Sequence, residues 1–291
     1  MKKNILALLF PFFAFAQDNL LSEIDTVKTD TKVVSAFKAL KIVNIESTKL
    51  VGKGDFYLIV AHRFDYLNHG FDDFFGMDNA NTQFKFAFGL KDWLMVQVSR
   101  SGFQETYESG VKYRLMKQDK EGFPFAIVGF NSLAINTEMK KVNLPGVQFR
   151  DRLTYANQLL ISRKFNDKLS LELAPSHFYE NTVREVLDQN NQVILPNPQN
   201  KSQFAIGMGG RYKFARRWSV NVDYAAHLNR ARQSIYKNPL SVGVDLETGG
   251  HVFQLLFTNA RAIHEAGYLG QTAGDWGKRE IAFGFNLVRV F

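Results

Sequence analysis

Ionisable residues of both signs recur in this chain at alternate positions of short segments whose other positions are apolar. Charged side chains that share one enclosed surface can bind a polar solute, or they can pair with one another and fill the space. Eight residues form this candidate set: Lys85, Glu108, Lys112, Arg114, Glu172, Arg211, Asp223 and Asp245. The chemistry that they predict is electrostatic, and it requires elements that direct all eight toward one interior.

Residue patterns for catalysis, metal binding or a cofactor are not found in the sequence. The chain has six histidines and no cysteine, and none of the histidines has a spacing expected of a zinc site. A nucleophile elbow and a phosphate-binding loop are also missing. A lipid hydrolase would need an exposed Ser–His pair with a third group orienting the histidine, and sequence alone identifies no such pair. We therefore predict no catalytic residue, cofactor or metal, and a protein that is not an enzyme.

A period of two runs through most of the chain from Gly54 onward. Within residues 83–90, every even position holds Phe or Leu, and every odd position holds Gln, Lys, Ala or Gly. Successive side chains of a strand point to opposite faces, so each such segment has one apolar face and one small or polar face. Twelve strands are predicted, near residues 54–66, 83–90, 94–99, 107–115, 124–135, 152–165, 169–174, 204–213, 218–224, 240–246, 251–259 and 281–291.

The connections between these predicted strands alternate in length. Short links occupy residues 91–92, 117–123, 166–168, 215–217 and 247–250. Longer ones lie near residues 67–80, 136–151, 180–202, 231–237 and 260–279, and the short link at 102–104 is an exception. Short turns at one end and longer loops at the other are typical of a transmembrane barrel, whereas a soluble sandwich has no reason to keep every second connection tight.

The small and polar face supports the same architecture. It is rich in Gly, Ala and Ser, which suit a crowded interior, and it carries the eight candidates. A charge on the lipid face would cost about 2–4 kcal/mol at mid-bilayer, and the apolar stripes contain almost none. We predict an all-β fold, a transmembrane antiparallel up-and-down barrel of about 12 strands over residues 51–291, with the candidates facing its lumen.

The first residues have the form of an export signal. Residues 1–16 combine an N-terminal Lys pair, an apolar run and small residues at Ala14 and Ala16, which predicts a signal peptide cleaved before Gln17. Residues 17–50 are predicted to be a periplasmic leader, whose residues 35–44 could form a strand or a helix. We expect this leader to cover the bottom rim of the barrel rather than to enter the lumen. The predicted location is the outer membrane of a Gram-negative bacterium.

The final strand resembles the terminal signal of bacterial outer-membrane barrels, in which alternate residues are apolar and the last is aromatic. The residues that carry this resemblance are Phe283, Phe285, Leu287 and Phe291. The resemblance implies that the barrel-assembly machinery recognises the chain during its biogenesis.

Five further motifs occur in a fixed order: FKALKIVN at 37–44, AHRF at 61–64, FGMDNA at 75–80, GLKDWLMV at 89–96 and VKYRL at 111–115. Together they resemble the outer-membrane β-barrel family of Bacteroidota catalogued as domain of unknown function 5777, over residues 37–291. The resemblance implies a signal peptide, a barrel fold and an outer-membrane location. It brings no assigned activity and no functional residues.

Two functions of different classes are compatible with these predictions. The first is a small pore or diffusion channel for polar solutes, and the second is a structural or accessory subunit of a larger outer-membrane complex. The expected partners are outer-membrane lipid and proteins that bind the loops at 180–202 and 260–279 or the leader at 17–50. The chain's net charge is +8, but its basic residues are scattered, so we expect no binding to nucleic acid.

Overall fold

A computed structural model describes residues 33, 35–141, 147–181, 186–187, 193–195, 199–232 and 234–291. The predicted signal peptide at 1–16 and the first part of the predicted leader, residues 17–32, lie outside the described residues. None of the helices in the described part of the chain is long and apolar enough to cross a bilayer.

Twelve antiparallel strands of the described chain form a closed barrel, in which the first strand pairs with the last. They are β1 (Phe56–Tyr66), β2 (Ala80–Lys91), β3 (Leu94–Ser101), β4 (Tyr107–Met116), β5 (Ala126–Ile135), β6 (Leu153–Lys164), β7 (Leu169–Glu180), β10 (Ser202–Lys213), β11 (Trp218–His227), β12 (Leu240–Glu247), β13 (His251–Thr258) and β14 (Ala282–Val290). A small hairpin, β8 (Val186–Leu187) with β9 (Val193–Leu195), interrupts the connection from β7 to β10. The predicted fold class and strand number are confirmed.

Closure of the barrel joins the two ends of its wall. The backbone N–H of Phe291 donates to the carbonyl of Phe56 at 2.9 Å, and the Phe56 ring packs 5.5 Å from that of Phe291 and 4.7 Å from that of Phe88. Pairing β1 with β14 leaves no sheet edge whose backbone groups would face lipid unsatisfied. The C-terminal aromatic residue therefore packs at the seam where the wall closes.

The two faces of the wall differ as the alternation predicts. Phe84, Phe86 and Phe88 on the outer face are between 40% and 49% exposed, whereas Lys85 and Ala87 between them are 2% and 0% exposed. Apolar side chains cover the outer face, which in a membrane contacts lipid acyl chains instead of water. Polar side chains are enclosed in the interior of the barrel.

The connections sort by length to the two ends of the barrel. Short turns at 92–93, 117–125, 165–168, 214–217 and 248–250 lie at one end, which we call the short-turn end. The longer connections at 67–79, 136–152, 181–201, 228–239 and 259–281 lie at the other, the long-loop end, together with the short link at 102–106. The start of β1 and the end of β14 are both at the short-turn end.

Candidate functional site: a filled lumen

Two segments that do not belong to the wall enter the lumen from opposite ends. Residues 35–51, the leader plug, enter from the short-turn end, and Val43 and Glu46 within them are fully buried. Residues 259–274, the loop plug, enter from the long-loop end and contain the helix Glu265–Gly270, all of whose residues are buried. Because twelve strands enclose more space than their own side chains fill, these segments complete the interior.

The position of the leader plug corrects one expectation from the sequence. The described part of the leader enters the lumen instead of covering the rim, because polar groups on the inner wall bind its backbone. The middle of the predicted loop 260–279 turns inward, and residues 262–270 are buried, so the proposed partners of this loop stay a prediction for its exposed residues. Much of the loop 180–202 lies outside the described residues, and its proposed partners stay a prediction.

A close backbone approach at Gly89 directs the leader plug into the barrel. The carbonyl oxygen of Gly52 lies 1.7 Å from where a Cβ atom on Gly89 would be, so only glycine fits there. The Gly54 N–H donates to the carbonyl of Gly89 at 2.8 Å, and the Gly89 N–H donates to that of Asp55 at 3.1 Å. The chain therefore crosses the inner face of β2 immediately before it begins β1.

On one side of the lumen, a carboxylate of β11 holds both plugs. Asp223 Oδ2 accepts hydrogen bonds from the backbone N–H groups of Val43, Asn44 and Ile45 at 3.0, 2.6 and 2.9 Å. Its other oxygen accepts a bond from the hydroxyl of Tyr268 in the loop plug at 3.0 Å. Asp223 is therefore the point at which the wall binds both segments.

On the opposite side of the lumen, two lysines of the wall bind a carboxylate of the leader plug. Glu46 lies 2.8 Å from Lys85 on β2 and 2.7 Å from Lys112 on β4, and all three side chains are at most 3% exposed. Lys112 also donates to the carbonyls of Leu40 and Ser47 at 3.1 and 2.9 Å. The wall is therefore basic where it meets Glu46 and acidic where it meets the N–H groups of residues 43–45.

The two plugs also contact each other. Lys41 of the leader plug forms an ion pair with Glu265 of the loop plug, and its ammonium donates to the carbonyl of Ile263 at 3.3 Å. A cavity beside Lys41, lined also by Lys85 and Gln254, has a volume of about 20 Å³, room for roughly one water. The two plugs are therefore joined to each other as well as to the wall.

The structure places seven of the eight predicted residues on the buried inner face: Lys85, Glu108, Lys112, Glu172, Arg211, Asp223 and Asp245. Glu172 accepts a hydrogen bond from the Thr48 N–H at 2.9 Å, and Glu108 accepts one from the Glu265 N–H at 3.3 Å. Arg211 pairs with Glu247, and Asp245 accepts from Gln254 at 2.5 Å. Arg114 does not join them, because it lies at the short-turn end and donates to the carbonyl of Asp92 at 2.8 Å.

The sequence did not identify the plug residues that complete this network, notably Lys41, Glu46, Glu265 and Tyr268. Neither plug has the period of two that marks the wall, and neither contains a recognisable binding motif. One signal was available. Buried charges need partners, and charges crowded on the inner wall implied that residues outside the strands supply some of them.

Two glycines of β10 make room for the leader plug. A Cβ atom on Gly209 would lie 2.3 Å from Ile42 Cδ1, and one on Gly207 would lie 2.9 Å from Ile45 Cδ1. We predict that Gly209→Val displaces Ile42 and weakens the plug by about 1–3 kcal/mol, the usual cost of overpacking. Faster proteolytic cleavage within residues 35–51 of the folded barrel will report the displacement.

Gly249→Ala is the matched control, because that glycine lies in a short turn with no atom within 4 Å of its would-be Cβ. Equal cleavage rates in the two variants would contradict the assignment of Gly209 as a residue against which the leader plug packs.

Among the described residues, no group of three or more His, Cys, Asp or Glu side chains is placed to hold a metal ion. The expectations of no metal and no cofactor stay predictions.

Comparisons with known proteins agree with this geometry. A family model described as "Membrane bound beta barrel domain (DUF5777)" matches residues 37–291, a stretch that includes most of the leader plug as well as the wall. No curated protein matches the sequence.

Solved structures with a similar backbone include a NanC porin, with a TM-score of 0.50 and 8% identity over 80% of this chain and 98% of that chain. A KdgM porin aligns with a TM-score of 0.48 and 10% identity, over 81% and 99% of the two chains. Outer membrane phospholipase A from Escherichia coli aligns with a TM-score of 0.39 and 12% identity, over 86% and 98%. At such identities, the likeness to the NanC porin shows a shared barrel fold.

Proposed function

Because this chain belongs to the DUF5777 family of membrane-bound β-barrel domains, we propose that it is an outer-membrane diffusion channel for small polar solutes, closed by its two plugs in the described conformation. The observation that carries the proposal is the inner wall, which has buried side chains of both charge signs. Once the plugs leave, that wall would present both signs of charge to a solute.

The energetics of buried charge favour a conducting role over a purely structural one. Replacing a buried ion pair with well-packed apolar residues is often neutral or stabilising, so a wall that only had to be filled gains nothing from Lys85, Lys112 and Asp223. In an open state these charged side chains would contact water and solute, and that contact would explain why the inner wall carries them. The same charges hold the closed state through Glu46 and the backbone of residues 43–45.

The attachment of the leader plug supports its role as the movable element. In the described part of the chain it is continuous with the wall at one end, through residues 52–55, whereas the loop plug is tied to β13 and β14 at both ends. Withdrawal of the leader plug through the short-turn end therefore breaks none of the hydrogen bonds between wall strands. In this proposal the short-turn end faces the periplasm, as in barrels with short periplasmic turns.

The test is conductance in planar bilayers. A variant that lacks residues 35–50 is expected to show more frequent and larger current steps than the full chain. A second variant, in which residues 262–271 are also replaced by a short Gly-Ser linker, should conduct most, because both obstructions are gone.

Folding of each variant is checked by its heat-modifiable mobility on a gel. A folded double variant that never conducts, in several salts, would rule out the channel. Recovery of the native chain in a stable complex from mild detergent, together with that result, would favour the accessory-subunit function instead.

A further inference from the structure

A row of polar side chains crosses the outer face of the barrel, most of which is apolar. Asn131 on β5, Asn157 on β6 and His177 on β7 are direct cross-strand partners, and Ser202 is the first residue of β10. Asn131 donates to Asn157 Oδ1 at 2.6 Å, the Asn157 carboxamide lies 3.4 Å from His177 Nδ1, and His177 Nε2 lies 3.0 Å from Ser202 Oγ. A hydroxyl, an imidazole and a carboxamide are thus linked in series.

We propose that this row is an ester-hydrolysing site for acyl lipids, on the outside of the barrel. Ser202 is the nucleophile, His177 is the general base, and Asn157 is a positioning residue that orients the imidazole. The Ser202–His177 distance is within the 2.6–3.2 Å range that a nucleophile and its base require, and the third group completes the arrangement.

The tautomer that catalysis needs is available in this row. For His177 to take the serine proton at Nε2, its Nδ1 must carry the other hydrogen and find an acceptor. A half-turn of the Asn157 carboxamide exchanges its oxygen and nitrogen without moving any other atom. Oδ1 then accepts from His177 Nδ1, and the same half-turn of Asn131 keeps its bond to Asn157.

Position and surroundings fit an acyl lipid. His177 precedes the last residue of β7 by three positions, roughly 10 Å along the strand, so the row lies near the long-loop edge of the membrane rather than at its midplane. An outward groove of about 670 Å³ runs to Asn157 and His177, and its lining includes Val98, Val111 and Leu133. An acyl chain in this groove would place its ester close to the row.

The chemical step balances with water as the co-reactant. Ser202 Oγ bonds to the ester carbonyl carbon while His177 Nε2 takes the hydroxyl proton. The carbon–oxygen bond to the alcohol then breaks, and the departing oxygen takes that proton. Water attacks the acyl group on Ser202, gives one proton to His177, and the carboxylic acid leaves as Ser202 recovers its proton. One ester and one water give one acid and one alcohol.

A second hydroxyl–histidine pair on the outer face provides a matched control. Thr82 Oγ1 lies 2.8 Å from His62 Nδ1, and the His62 ring stacks on that of Phe285 with centroids 5.1 Å apart. The hydroxyl of Thr82 contacts Nδ1 of His62, whereas the hydroxyl of Ser202 contacts Nε2 of His177. The Thr82–His62 pair therefore lacks the arrangement in which the hydroxyl contacts Nε2 and an orienting group contacts Nδ1. Thr82→Ala is therefore expected to leave hydrolysis unchanged.

The experiment measures hydrolysis by the purified full chain of p-nitrophenyl butyrate and palmitate in micelles, and of phosphatidylcholine in vesicles. A fluorophosphonate probe should modify Ser202, as located by mass spectrometry. Ser202→Ala and His177→Ala should each lower the rates by about 100-fold or more. Asn157→Ala should lower them less and change the pH profile, and Asn157→Asp, which keeps an acceptor, should restore both.

Two results would overturn the proposal. One is a folded wild-type protein that leaves Ser202 unlabelled and hydrolyses all substrates no faster than Ser202→Ala. The other is hydrolysis of the butyrate ester without any hydrolysis of palmitate or phosphatidylcholine, which would exclude acyl lipids as the substrate class.

Discussion

Replacing Asp223 with alanine is expected to detach the leader plug from the acidic side of the lumen and to open the barrel. Asp223 is 1% exposed, and its carboxylate accepts four hydrogen bonds that come from both plugs. Removing one partner of a buried charged network costs about 3–5 kcal/mol, because the remaining donors stay buried without an acceptor. Hydrogen exchange at the amides of residues 43–45 should accelerate strongly, and current steps in bilayers should become frequent.

Asp245→Ala is the control for this experiment. Asp245 is also buried on the inner wall, but its donors are the side chains of Gln254 and Asn221, and it meets the leader plug only indirectly, through Gln254, which donates to the carbonyl of Ile42. If Asp245→Ala accelerated exchange at residues 43–45 as much as Asp223→Ala does, Asp223 would not be the specific anchor of the leader plug.

The wall could be predicted from the sequence because its periodicity is local. Phe84, Phe86 and Phe88 alternate with polar and small residues within one strand, so the faces follow from geometry that each strand carries by itself. Closure of the barrel was also predictable, since the last strand resembles the terminal signal of outer-membrane barrels. In the structure, Phe291 pairs with Phe56 at the seam.

The interior could be predicted only in part, because its contacts join residues that are far apart in the chain. Seven of the eight candidate charges were placed by the parity of their strands. Their partners were not, since Glu46 and Lys112 are 66 positions apart and no local pattern relates them. Arg114 shares the inward parity, since it pairs with the buried Val128 of β5, but it lies at the short-turn end and does not join the network.

The outer row at His177 shows a further limit of pattern reading. Asn131, Asn157 and His177 come from three strands, and only the register of those strands brings them into one row. The sequence alone does not show which serine and which histidine side chains are in contact. Register, which the turn lengths set, is what converts separate polar residues into a candidate site.

The second prediction with a large effect concerns Glu46, on the side of the lumen opposite Asp223. Glu46→Gln is expected to destabilise the folded protein by about 3–5 kcal/mol, because Lys85 and Lys112 then face each other in a buried space without the carboxylate that neutralises them. The midpoint of thermal or denaturant unfolding in detergent should fall accordingly.

A double-mutant cycle separates this charge effect from a loss of packing. Lys112→Met removes one of the two wall cations that bind Glu46 and keeps an unbranched side chain, so Glu46→Gln with Lys112→Met should cost less than the sum of the two single variants. A coupling free energy of about 0.5–3 kcal/mol is typical of residues in direct contact. Strict additivity would mean that the two side chains act independently and that Glu46 is held by the shape of the plug. The expected coupling would instead identify this ion pair as one of the contacts, with those at Asp223, that the leader plug must break before the lumen can conduct.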